Sequence, residues 1–184
     1  MMFPKTKKKL VLMVHEGSSQ TNLKAIQKAI NDGKINAEIS AVISDSEDAI
    51  PIIKKMPPDY ICLAGWKKII SNELIQKYEN RILNIHPGLI PDTTDGNVLN
   101  PDNTETIWNK GMYGNKAIQN FLDQKATFAG SSIHFLTLNF DFGPVLGRTF
   151  EKIETGDTIE SLYLRLKKKE NQLYVEVLEK LCQK

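Results

Sequence analysis

Cysteine is scarce in this chain: Cys62 and Cys182 are its only two, without the paired spacing of a zinc site or the density of a disulfide framework. No apolar run approaches the roughly 18 residues a membrane span needs, and the N-terminus has no apolar signal core. No Asn-x-Ser/Thr sequon occurs either. These absences argue against secretion and membrane insertion, and a reducing cytoplasm is the expected compartment. Charge of one sign is lacking as well, since 24 basic residues face 22 acidic ones for a net +2. So small a field does not favour a nucleic-acid partner over any other. The G-x-G-x-x-G dinucleotide fingerprint is absent too.

What remains is a globular composition, 41% hydrophobic and 25% charged over 184 residues, with no repeat and no linker. One domain over residues 1–184 is expected. The basic runs KTKKK (5–9) and KKK (167–169) read as a solvated leader and a solvated helix face.

Apolar runs alternate with amphipathic ones. KLVLMV (9–14), AEISAVISD (37–45), DYICLAG (59–65) and RILNIH (81–86) read as buried strands. Between them, TNLKAIQKAINDG reads as a helix capped by Thr21 and Asn22 and ended at Gly33. Residues 46–58 leave room only for a short helical turn before the prolines, and SNELIQKY forms a helix capped by Ser71 or Asn72. This alternation predicts an α/β fold, a single-domain, Rossmann-like, mostly parallel sheet flanked by helices, with sites beyond the carboxyl ends of the strands. Further on, NKAIQNFLDQ is a helix, GSSIHFLT and PVLGRTFEKI are strands, and residues 158–181 form a last amphipathic helix. The polar, turn-rich stretch 91–112 is long for a structureless connection, with Trp108 as its expected anchor.

Asn84 and His86 sit two apart at a strand end in NIHP, so they project to one face, and Pro87 ends pairing. An amide and an imidazole there can stabilise an oxyanion and move a proton, the minimum for acyl transfer. Asp141, in the loop NFDFGP, can orient the imidazole. His134 in SSIHF reads as a packed strand residue, and HEGSSQTNL after the first strand reads as a tight turn before a helix cap, able to bind phosphate.

Together, DYICLAGWKKIIS, LNIHPGLIP, GSSIHFLTLNFDFGPVL and GDTIESLYLRLKKKEN, in this order, resemble the 10-formyltetrahydrofolate-dependent formyltransferases, above all the branch acting on glycinamide ribonucleotide in purine synthesis. The likeness runs from about residue 9 to 180. It implies that Asn84, His86 and Asp141 are catalytic, with Asp141 holding the imidazole in its charged form. It implies that Lys68, Ile69, Ile70, Met112, Tyr113, Leu138, Asn139, Phe140, Phe142 and Gly143 hold 10-formyltetrahydrofolate, the formyl donor. Ser19, Gln20, Thr21, Asn22 and Glu170 would hold the acceptor, with Glu170 on an exposed helix. No metal is implied; the partners are small molecules, and the chain acts as a monomer or homodimer.

Three departures mark the acceptor side. SSQTN has less glycine than the family's phosphate loop, and 46–58 is shorter than the family pattern by about a strand and a helix. DTTDGNVLNPDNTETIWN is inserted after the catalytic segment, where it could cover the acceptor. A different small amine, such as an amino sugar nucleotide, is an alternative acceptor, and formyl hydrolysis and non-catalytic folate binding also stay open.

Overall fold

The computed structural model describes residues 6–183. Six strands form one sheet in the order β2-β1-β3-β4-β5-β6: β1 Lys8–Val14, β2 Ala37–Ser44, β3 Tyr60–Ala64, β4 Ile82–His86, β5 Phe128–Phe135 and β6 Val145–Lys152. The first four are parallel, while β5 runs antiparallel to β4, and β6 to β5. The connection 136–144 is too short for the crossover of about a dozen residues that a parallel pair requires, so β5 and β6 close as a hairpin. The sheet is therefore mixed, with its parallel part as expected.

Five helices cover it: α1 Thr21–Asn31, α2 Ala49–Lys55, α3 Asn72–Lys77, α4 Gly114–Asp123 and α5 Ile159–Cys182. Pro51 is accommodated in the first turn of α2, where its missing N–H costs no helical bond. Ser71 caps α3 by accepting from Leu74 N, and Thr158 with Ser161 forms a reciprocal capping box on α5. The cap of α1 departs from expectation. Gln20, in left-handed backbone at φ 51°, precedes the helix, and Thr21 and Asn22 lie inside it.

The pleat divides the core in two. Leu10, Leu12, Val14, Leu83 and Ile133 face α1 and α5, whereas Val11, Met13, Ile61, Leu63 and Ile82 face α2 and α3. Tyr174 of α5 reaches across, its Oη 3.2 and 3.3 Å from the carbonyls of Leu63 and Leu83. Part of the basic leader is not free: Lys8 and Lys9 belong to β1, Lys8 pairs with Asp59 at 3.7 Å, and Lys9 N donates to the same carboxylate. Lys5 lies outside the described residues.

Candidate active site

Strand β4 lies between β3 and β5, so the turn after β3 and the loop after β5 both arise beside it. On β4, Asn84 and His86 share the face of Ile82, and Ile85 points to the other. The antiparallel register sets His134 opposite Asn84 and Ser132 opposite His86.

His134 is more than packing. Its Nδ1 lies 3.0 Å from the Phe135 carbonyl, which can only accept, so Nδ1 carries the proton. Its Nε2 is then an acceptor, and Asn84 Nδ2 donates to it at 3.2 Å. Burial, reinforced by His86, pushes the His134 imidazole down to about 4, which keeps it neutral and fit for that role. The signal was present in SSIHF, whose Ser132 and His134 repeat the same-face spacing of Asn84 and His86.

His86 is buried, with Nε2 2.7 Å from the Trp108 carbonyl and Nδ1 3.6 Å from Asp141 Oδ1. The Asp141 backbone is left-handed at φ 48°, its Oδ2 accepts from Gly111 N at 2.7 Å, and its carbonyl accepts from Trp108 Nε1 at 3.0 Å. The carboxylate has the expected charge-favouring effect on His86, but burial outweighs it. Burial drives the His86 pKa below its ordinary value, and the Asp141 carboxylate only opposes that shift.

On the opposite face a cavity of about 680 Å³ opens across the strand ends. Four of the expected acceptor residues, Ser19, Gln20, Thr21 and Asn22, line it, and so does Glu170. Thr21 Oγ1 and Asn22 Oδ1 are buried there without a hydrogen-bond partner. Glu170 is not on an exposed helix face: only 6% accessible, it accepts from Ser131 Oγ at 2.6 Å and from Lys167 Nζ at 2.7 Å. Burial alone would lower the Lys167 pKa, but Glu170 overrides it and holds the ammonium above its ordinary range. Lys67 and Lys116 also line the cavity, leaving it with more positive than negative charge. Lys167 was hidden in a run that read as solvated. His15, at the end of β1 before the loop of Ser19, bonds to Asp45.

The expected donor residues are less enclosed. Among them only Tyr113 lines the cavity, and Ile70 is buried in the core beside Leu74 rather than walling a pocket. Lys68 and Asn139 are exposed, Met112 is half-buried, and Gly143 is buried with no room for a Cβ, which would lie 2.1 Å from the Phe135 carbonyl. Phe142 packs against Trp108 with ring centroids 5.8 Å apart. Ile69 at 90%, Phe140 at 62% and Leu138 at 55% accessible leave large apolar groups in water on the two segments flanking β4. No residue of the insertion between 92 and 109 lines this cavity, so it does not form the expected cover over it. Its end reaches His86 and Asp141 instead.

These features have counterparts in known proteins. Over 96% of its length the chain is 27% identical to a phosphoribosylglycinamide formyltransferase, chloroplastic, of Arabidopsis thaliana, and spans 66% of that protein, just under two thirds. A crystal structure of glycinamide ribonucleotide transformylase 1 from Symbiobacterium toebii superposes with a TM-score of 0.80 at 23% identity, covering 100% of this chain and 91% of that one. The phosphoribosylglycinamide formyltransferase of Brucella melitensis does so at 0.73 with 26% identity, covering 96% of each chain. The family profile described as formyl transferase matches residues 48–178, from the start of α2 through most of α5 and including Asn84, His86 and Asp141. The chain belongs to the formyl transferase family.

Proposed function

We propose that the protein transfers the formyl group of 10-formyltetrahydrofolate to the amine of glycinamide ribonucleotide in purine biosynthesis, residues 1–184 acting as one formyltransferase domain. The observation that carries this reading is the placement of an amide, an imidazole and a carboxylate at the end of β4, next to a cationic cavity with unpartnered polar groups.

In this reading the acceptor's phosphate lies against the amides and hydroxyls of Ser19, Gln20, Thr21 and Asn22, where a helix start and Lys67 favour an anion. Lys167 and Glu170 hold its polar groups. The flat donor suits the exposed apolar side chains of Ile69, Leu138 and Phe140, with Lys68, Asn139, Phe142, Gly143, Met112 and Tyr113 completing its surroundings.

As the amine attacks, a carbon–nitrogen bond forms and negative charge grows on the formyl oxygen. Asn84, its amide plane fixed by His134, donates its second N–H to that oxygen. His86, neutral at rest, accepts the amine's proton, and the imidazolium so formed is stabilised by Asp141. The proton then passes to the departing donor nitrogen as the old carbon–nitrogen bond breaks. No covalent enzyme intermediate is required. The enzyme works in the cytoplasm as a monomer or homodimer, needs no metal, and has small molecules as its partners.

The test follows loss of the formyl group with glycinamide ribonucleotide, with an amino sugar nucleotide and with no acceptor. Turnover with the ribonucleotide alone supports the assignment; turnover only with another amine, or with none, overturns it. His86→Ala and Asp141→Asn should each cut kcat by about 10²-fold or more with donor binding retained. Near-normal turnover in both would remove the trio.

A further inference from the structure

The contact between the inserted segment and the catalytic pair is not incidental to the local backbone. Residues 107–111 lie along the end of β4: Leu89 N donates to Ile107 O at 3.0 Å, and Asn109 Nδ2 donates to Pro87 O at 2.8 Å and Ala117 O at 3.2 Å. The Asn109 side-chain oxygen accepts from Asn120 of α4 at 2.8 Å, tying the same segment to that helix. Within this strap, the Trp108 carbonyl receives His86 Nε2–H, while the Trp108 indole and the Gly111 amide both hold Asp141. Gly88 is what admits the carbonyl. A Cβ at that position would stand 1.8 Å from Trp108 O and 2.8 Å from His86 Nε2, and no side chain tolerates the first distance.

We propose that the strap at residues 107–111, admitted by Gly88, is a positioning element that holds His86 as its Nε2–H tautomer and turns Nδ1 toward Asp141. Donor and acceptor chemistry decides the tautomer. A carbonyl only accepts, so it selects the form that presents a hydrogen at Nε2; the opposite form would set a lone pair against the carbonyl oxygen and lose the bond. In a buried site this biases the two forms by about tenfold or more. With Nε2 occupied, Nδ1 is the only ring nitrogen left to take a proton, and it is the one that faces a carboxylate. The charged or titratable groups facing His86 are Asp141 on the loop after β5, Glu170 on α5 and His134 on β5; of these, Asp141 at 3.6 Å from Nδ1 favours a hydrogen on that nitrogen, and the closer Trp108 carbonyl, 2.7 Å from Nε2, is what opposes it. Trp108 and Gly88 are thus positioning residues, acting through the imidazole. This use of the strap rests on His86 being the proton carrier, but the tautomer itself can be tested without that premise.

The experiment is nitrogen-15 NMR of the imidazoles at pH 8, tractable because the chain has only three histidines. The wild-type protein should show His86 with a protonated Nε2 and a bare Nδ1. Gly88→Ala, which expels the carbonyl, should bring the two tautomers within about threefold of each other and lower kcat by about 10²-fold, as misplacement by an ångström does. Trp108→Phe keeps the carbonyl and should leave the tautomer ratio unchanged. A wild-type Nδ1–H tautomer would overturn the proposal, and this holds even if Gly88→Ala does not fold. An unchanged ratio in folded Gly88→Ala, or an equal change in Trp108→Phe, would overturn it too. A changed ratio with undiminished kcat would keep the lock and remove His86 from the chemistry.

Discussion

Glu170 and Lys167 form a pair whose stability and binding roles can be separated with three variants: Glu170→Gln, Lys167→Met and the combination. The carboxylate is buried and divides its oxygens between Ser131 and Lys167. Removing one member of a buried ion pair commonly costs about 3–5 kcal/mol, because the remaining charge is left uncompensated. The Lys167 side chain lies on the cavity wall and stays 19% accessible, so water can partly replace its partner. That reduces the expected cost to about 2–3 kcal/mol for each single variant. Glutamine keeps an oxygen for Ser131, so the Glu170→Gln loss reports the charge and not an orphaned hydroxyl. In a domain of this size about 1 kcal/mol moves Tm by roughly 2–4 °C, so each single variant should melt about 4–12 °C lower.

The double variant restores neutrality and should be more stable than the sum of the single losses implies, with a coupling of about 1–3 kcal/mol. Urea unfolding of all four proteins measures it; additivity within about 0.5 kcal/mol would refute an energetically real pair. On the proposed assignment both single variants should raise KM for the ribonucleotide acceptor while kcat stays within a few-fold. A fall in kcat at unchanged KM would mean that the pair serves the reacting atoms and not the acceptor's grip.

The neutral, buried His134 makes stability fall with acid: its folded pKa of about 4 lies below the unfolded value of 6.5, so the unfolded chain takes the proton first. Stability is full above pH 6.5 and declines by about 1.4 kcal/mol per unit below it, reaching a loss of about 3 kcal/mol near pH 4. Urea unfolding at pH 7 and 4.5 should show a smaller difference in His134→Gln, whose amide oxygen can still accept from Asn84; an identical difference would refute the buried-imidazole account. Gln20→Gly relieves left-handed backbone and should stabilise the protein by about 0.5–1 kcal/mol after the added freedom of the unfolded chain is subtracted, a gain that a lowered Tm would contradict. Gly130→Ala should cost about 1–3 kcal/mol, since a Cβ there meets the Thr149 carbonyl and the Leu89 side chain at 2.7 Å; unfolding at unchanged denaturant concentration would mean that β5 can shift without penalty.

Most of the architecture was legible because apolar periodicity is a local signal. Every strand and helix expected from it is present, with ends displaced by a residue or two. The shared face of Asn84 and His86 was legible for the same reason. What escaped depends on partners remote in the chain. His134 meets Asn84 only through the β4–β5 register, across fifty positions of sequence; the same-face spacing in SSIHF marks a shared face, but not which residue lies opposite. Glu170 follows three lysines and looked solvated, but α5 rotates it inward onto Ser131. The Trp108 carbonyl was invisible, because a main-chain acceptor has no residue type to announce it. Ile70 is ambiguous in the opposite way: an apolar side chain in a site motif can wall a pocket or fill a core, and here packing with Leu74 of α3 puts the side chain in the core.

The pleat of β4 has a consequence for how two substrates meet. Ile85 faces the cavity, while Asn84 and His86 face the side on which the loop after β5 folds back to bring Asp141. On the proposed assignment, acceptor and donor therefore approach from the two faces of the sheet and meet at the strand end, past Pro87, where β4 stops pairing and where Tyr113, a donor-side residue, also borders the cavity. The parallel order β1-β3-β4 opens that end, and the strap at residues 107–111 borders it from the insertion. An imidazole at the last position of β4 can serve an amine arriving there only if its ring is prevented from turning away. Asp141, 3.6 Å distant and on a loop, can hold Nδ1 only once that nitrogen has taken a proton. The carbonyl at 2.7 Å holds Nε2, so the insertion contributes more to the geometry at the end of β4 than to the walls of the cavity.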